Sequence, residues 1–152
     1  MLNENAPSNP ADSFDLNRFL SAQKDIYDRA LAELRAGEKH SHWMWYVFPQ
    51  IEGLGSSPTT RHYSIKSLEE ARRYLAHPVL GKRLIECAEA VMMHQGLSAE
   101  DIFGHPDDWK LQSSMTLFEL VSESGSVFSR ILDKYYQGKR DSKTIGIVNK
   151  HP

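Results

Sequence analysis

The residues of this chain that can do chemistry gather in two blocks. The first, Ser41-His42-Trp43-Met44-Trp45-Tyr46-Val47-Phe48-Pro49-Gln50, holds two of the three tryptophans. The second, Asp108-Trp109-Lys110-Leu111-Gln112-Ser113-Ser114-Met115-Thr116-Leu117-Phe118, mixes a carboxylate, an amine and hydroxyls with large apolar groups. His42 titrates near neutrality when unperturbed, so it can serve as a general acid or base. Asp108 is the one carboxylate of these blocks placed to activate a water. Trp45 can stack against a flat ligand, and Gln50 can hydrogen-bond it. Against this stands a plain structural reading. Aromatic side chains each hide roughly 150–250 Å² when buried, and core packing alone could require Trp43, Trp45, Met115 and Phe118.

Other candidates have weaker signatures. Lys110 and Ser114 are four apart and share a helix side, the spacing of a Ser-Lys pair and equally of a solvated lysine. Ser113 and Thr116 lie on an apolar stripe, where hydroxyls either bond back to the i−4 carbonyl or line a cavity. His40 and His42 form a His-x-His pair without the further ligands that metal sites use, so no metal and no cofactor are expected. The loop Gly53-Leu54-Gly55-Ser56-Ser57 lacks the phosphate-loop pattern. It does lead into Arg61, His62 and Tyr63, which together with an aromatic platform can hold a nucleotide-like ligand. Lys82 and Arg83 sit in a first helical turn, where cations oppose the macrodipole, a hint of an anionic partner.

These groups must be positioned by helices. Phe19, Leu20, Gln23, Ile26, Tyr27, Ala30, Leu31 and Leu34 follow a helical period from an N-cap at Asp15 to a stop at Gly37. The aromatic block reads as a short helix capped by Ser41 and ended before Pro49. Residues 50–60 read as a loop. Ser67 and Glu70 form a capping box for the next helix, which His77-Pro78 breaks. A helix through Leu84, Cys87 and Val91 follows, ending at Gly96. Ser98 caps a short one that stops at Gly104. Helices open at Asp107 or Asp108 and at Ser126, the latter closing at Gly138, and residues 141–148 form a final turn. On the helix from Asp108, Trp109, Leu117, Leu120 and Val121 make one apolar stripe and Leu111, Met115 and Phe118 a second, so it should be buried on most sides. The expectation is an all-α single domain over residues 14–148, with about six or seven helices. Residues 1–13, rich in Asn, Pro, Ala and Ser, read as a disordered tail.

With 152 residues, 25% charged and 40% hydrophobic, the chain has ordinary globular composition and enough length for a real core. Its net charge of −2 argues against a general nucleic-acid or membrane-surface binder. No apolar run reaches membrane-span length, and no signal peptide opens the chain, so a cytoplasmic location is expected. Cys87 is the single cysteine, so no internal disulfide can form, and its helical apolar setting makes it a core thiol.

Several segments together resemble a bacterial family of unknown function whose members are often labelled "calpastatin". They are Ser41 to Gln50, Leu54-Gly55 with Ser56 or Ser57, Tyr63-Ser64-Ile65, His77-Pro78-Val79-Leu80-Gly81-Lys82-Arg83-Leu84, and Asp108 with Lys110 to Phe118. The resemblance runs from about Phe14 to Thr144. It implies a compact all-α domain and no established activity. Calpain inhibitors of that name are long, disordered and repetitive, which this chain is not. The order of blocks is also similar to the NADAR family, which handles N-glycosidic bonds linked to ADP-ribose. The leading expectation is a polar and aromatic pocket for a nucleotide- or ADP-ribose-like ligand. Trp45 would stack, Arg83 and Lys110 would meet anionic groups, and Gln50, Tyr63, Ser113 and Ser114 would complete the wall. N-glycosidic hydrolysis is then the first activity to test, with His42 and Asp108 as catalytic candidates. Trp45, Gln50, Arg83, Lys110 and Ser114 should then face one concavity. The alternative is a non-enzymatic protein-interaction module whose motif residues are mainly structural.

Overall fold

A computed structural model describes residues 14–150; the tail expected over residues 1–13 lies outside them. The described chain is all-α. Its ten helices are α1 (Asn17–Gln23), α2 (Tyr27–Ala36), α3 (Met44–Val47), α4 (Pro58–His62), α5 (Leu68–Ala76), α6 (Leu80–Met92), α7 (Ala99–Phe103), α8 (Asp107–Glu119), α9 (Val127–Tyr135) and α10 (Ser142–Lys150). No strand forms among these residues. An isolated parallel bridge, Ile51 to Ile65, closes the segment that contains α4 through Ile65 N–H to the Gln50 carbonyl and Glu52 N–H to the Ile65 carbonyl, both 2.8 Å.

The helix count exceeds the sequence expectation for local reasons. The first expected helix is two. Gln23 is buried, and its amide donates to the Tyr46 carbonyl at 2.7 Å and to the Tyr74 hydroxyl at 3.2 Å. The chain bends there, and α2 continues to Gly37, whose φ of 83° is a left-handed stop that glycine adopts freely. Asp15 does not cap α1; it is itself left-handed, and Leu16 holds the cap position with no side-chain bond. Part of the expected loop is α4, because the Ser57 hydroxyl accepts from Thr60 N–H at 3.1 Å and Pro58 suits a first turn. The expected last turn is a full helix, α10, because the Asp141 carboxylate accepts from both the backbone and the hydroxyl of Thr144.

The other caps follow the sequence more closely. Ser98 and Asp101 make a reciprocal capping box on α7. Ser67 caps α5 through Glu70 N–H, but the Glu70 carboxylate turns elsewhere, to Lys66 N–H and Arg18, so that box is half made. His77 Nδ1 accepts from the backbone N–H groups of Val79 and Leu80, at 3.1 and 3.2 Å, and steers the chain into α6.

Helix α8 is the central element, packed on α5, α7, α9 and α10, while α6 lies against α2, α3, α5 and α9. Every residue from Ser113 to Phe118 is buried, as the two-stripe reading requires. Only the outer ends of the first stripe depart from it: Trp109 is 64% exposed and Leu120 is 43% exposed. Ser113 and Thr116 do bond back to the carbonyls of Trp109 and Gln112. Cys87 is fully buried, and burial pushes its thiol up to about 12, leaving an inert core group. No helix among the described residues is long and apolar enough to cross a membrane.

Candidate functional site

The aromatic block is fastened to α2 by one carboxylate. Glu33 accepts the Trp43 indole N–H at 2.8 Å, the backbone N–H groups of His40 and Ser41 at 2.9 and 3.1 Å, and the Ser41 hydroxyl. Ser41 therefore serves Glu33 and does not cap α3, whose cap position is Trp43 without a side-chain bond. Trp43 is completely buried among Phe48 and Phe103. With Met44 and Val47 also turned inward, the short helix α3 leaves Trp45 partly exposed.

Burial alone would raise the Glu33 pKa. The donors from Ser41, His40 and Trp43 outweigh it and hold the carboxyl at about 2. A depressed folded-state pKa adds stability that is complete above the ordinary value of 4.5 and disappears as pH falls through about 2. Urea midpoints of the wild type should therefore fall with acidification across that window, and those of Glu33→Gln should fall less steeply. Parallel midpoint curves for the two proteins would reject this assignment.

The facing wall comes from the start of α8. Lys110 Nζ lies 4.8 Å over the Trp45 ring and 3.4 Å from Asp107. Asp107 also pairs with Lys39 at 2.8 Å, and Lys39 lies over the Trp43 ring. A turn further on, the Ser113 hydroxyl meets Asp141 at 3.0 Å, at the N-terminus of α10. The concavity between these walls has a volume of about 470 Å³ and is lined by Trp45, Gln50, Trp109, Lys110, Ser113 and Lys143 among others. A second concavity of about 340 Å³ shares Trp45, Pro106 and Lys110 and adds Lys39, His42 and His105. Together the two concavities set three lysines, Lys39, Lys110 and Lys143, against two aspartates, Asp107 and Asp141. The site thus carries a local positive surplus on a chain whose net charge is −2, which suits an anionic ligand.

The structure brings together Trp45, Gln50, Lys110 and Ser113 at the larger concavity and His42 at the smaller. Tyr63 shares an adjoining recess with Trp45 and Gln50. Three expected members fall elsewhere. Arg83 is engaged with α1 and α2: its guanidinium stacks 4.7 Å over Tyr27 and donates to the Gln23 side chain at 3.2 Å. Ser114 is fully buried on the core side of α8, and its hydroxyl finds no hydrogen-bond partner among the described residues. Asp108 lines neither concavity and accepts from His105 instead. The single-pocket expectation therefore holds for Trp45, Gln50 and Lys110 and fails for Arg83 and Ser114.

Sequence reasoning missed Lys39, Asp107, Lys143, His105 and the organising Glu33. Asp141 had a signal, an N-cap aspartate three residues before Thr144. His105 had one too, an aspartate three positions on. Glu33 had none, since its partners come from a later loop. Among the described residues, no group of three or more His, Cys, Asp or Glu side chains converges as metal ligands.

A family model described as "Protein of unknown function (DUF1810)" matches residues 13–148. Among solved structures, the crystal structure of the conserved hypothetical protein Rv1873 from Mycobacterium tuberculosis is similar, with a TM-score of 0.88 and 50% sequence identity. The match covers 93% of this chain and 99% of that one. No curated protein matches the chain.

Proposed function

Starting from the fact that the chain belongs to the DUF1810 family of proteins of unknown function, we propose that it binds a small anionic ligand carrying a flat ring, of the nucleotide or ADP-ribose kind. The observation that carries this reading is an ammonium seated on one indole beside a second, exposed indole at one concavity. Lys110 sits 4.8 Å over Trp45, and Trp109 is left 64% exposed at the same wall. This tryptophan, on an otherwise well-buried helix, meets only the edge-on His105 ring and leaves most of its surface in water; a stacked ring would cover it. Lys110 and Lys143 then face the phosphate side, while Gln50 offers polar contacts to the ring or sugar. The similarity of block order to the NADAR family makes N-glycosidic hydrolysis the first reaction class to test, with its acid/base group drawn from the histidines of the adjoining concavity, His42 among them.

Thermal unfolding with ADP-ribose, NAD and related nucleotides tests the reading. A ligand at about 100 times its dissociation constant adds roughly 2.7 kcal/mol, a rise of roughly 5–10 °C for a domain of this size. Trp109→Ala should weaken binding by about tenfold or more, since stacking on one aromatic is worth about 1–3 kcal/mol. Lys110→Ala should weaken it comparably, and Lys82→Ala, in the first turn of α6 and lining neither concavity, should leave it unchanged. No shift with any nucleotide would sink the proposal. It would favour the second reading, a protein-interaction module, for which the open groove between α6 and the turn before α9 speaks. Leu75 and Phe128 line that groove, and Ile85 there is 41% exposed.

A further inference from the structure

We infer that His105 and Asp108 form the acid–base pair of this site, with His105 the catalytic residue and Asp108 its positioning residue; the inference rests on the ligand reading above. His105 Nδ1 lies 2.9 Å from Asp108 Oδ1. An ionised carboxylate only accepts hydrogen bonds, so the imidazole proton sits on Nδ1 and leaves Nε2 free as a base. Nε2 has no hydrogen-bond partner among the described residues.

The pair is held from several sides. Asp108 N–H donates to the Gly104 carbonyl at 2.9 Å, and the Tyr136 hydroxyl of α9 donates to the Asp108 carbonyl at 2.5 Å. The His105 ring stands perpendicular to Trp109 at 4.3 Å. Trp109 lines the larger concavity, His105 the smaller, and Pro106 both, so the pair sits at the seam between them. Its carboxylate is 14% exposed and its imidazole 45% exposed, a half-buried anchor behind a reachable base. His42 has no such support. It is exposed, and no carboxylate orients it among the described residues. The charged and titratable groups facing the same concavity as His105 are Asp107 and Lys110 from α8 and Lys39, His40 and His42 from the segment before α3.

In the hydrolysis this pair would catalyse, His105 Nε2 takes a proton from a water molecule. The water oxygen bonds to the anomeric carbon of the ribose. The bond from that carbon to the base nitrogen breaks with its electron pair on nitrogen. The proton held at Nε2 then passes to that nitrogen when the leaving base is adenine, or to solvent when it is nicotinamide, which departs already neutral, and His105 returns to its starting form. Asp108 keeps its charge throughout and stabilises the transient imidazolium.

The test uses the full chain with NAD and ADP-ribose as probes. Binding is read by calorimetry, base release by chromatography, and the His105 tautomer by nitrogen NMR of the free protein. The expected results are base release by the wild type and a kcat about 100-fold lower in His105→Gln with its dissociation constant unchanged, the usual size of a general-base effect. Asp108→Asn should lower kcat and displace the Nδ1–H signature, and Asp108→Glu should recover part of both. Base release undiminished in His105→Gln would overturn the inference, as would binding without release by the wild type, or a tautomer protonated on Nε2. If neither probe binds at all, calorimetry shows that the ligand reading has failed, and the inference falls with it.

Discussion

Glu70→Ala should cost about 3–5 kcal/mol of folding stability, the size expected when one partner of a buried ion pair is removed. Glu70 is fully buried, and its partner Arg18 has a side chain only 7% exposed at 2.7 Å. Arg18 donates not only to Glu70 but to the carbonyls of Phe14, Asp15, His62 and Ser64. Glu70 also accepts Lys66 N–H at 2.7 Å. The pair thus joins α1, the end of α4 and α5, and truncating the carboxylate strands a guanidinium inside. The melting temperature should fall by roughly 10 °C or more. Arg18→Ala should be comparably damaging. The double variant Arg18→Met with Glu70→Leu should lose distinctly less than either alanine variant, because no orphan charge remains. A Glu70→Ala protein within about 1 kcal/mol of wild type would refute this account of the pair.

The second large effect is expected at Gly81. A Cβ built there would lie 1.9 Å from the Leu75 carbonyl oxygen and 2.8 Å from its carbon. Backbone atoms cannot rotate away as a side chain can, so α5 and α6 would have to separate. Overpacking costs about 1–3 kcal/mol where side chains can yield, and Gly81→Ala should reach or exceed the upper end. The glycine in the His77 to Leu84 segment is therefore there for close approach of two helices, and its neighbours need not signal an anion site. Denaturant unfolding checks this directly. The refuting result is a Gly81→Ala midpoint equal to that of the wild type.

Where one stretch of chain decides its own structure, the sequence was readable. The caps at Ser98 and Ser126, the stop at Gly37 and the burial of Leu111, Met115 and Phe118 all follow from local spacing. The hydroxyls of Ser113 and Thr116 likewise obey a rule internal to one helix. What could not be read depends on groups far apart in the chain. Glu33 meets Trp43 through a fold of the loop between them, Arg18 meets Glu70 across three elements, and Lys39 meets Asp107 across about half of the described chain. The candidate site divides in the same way. Trp45, Gln50 and Lys110 belong to two blocks that α3 and α8 bring together. Arg83 misled because a basic residue in a first turn reads as an anion site, whereas it is spent on Tyr27 and Gln23.

The three tryptophans occupy three different settings. Trp43 is sealed in the core and bonded to a carboxylate, Trp45 is half-covered beneath an ammonium, and Trp109 stands largely in water against an imidazole. Intrinsic emission from this protein is therefore already partitioned. A variant keeping only Trp43 reports on unfolding and is blind to whatever enters the concavity. Quenching of Trp109 reports on occupancy while Trp43 stays sealed and the fold intact, so loss of structure and arrival of a ligand become separable optical signals without any added dye.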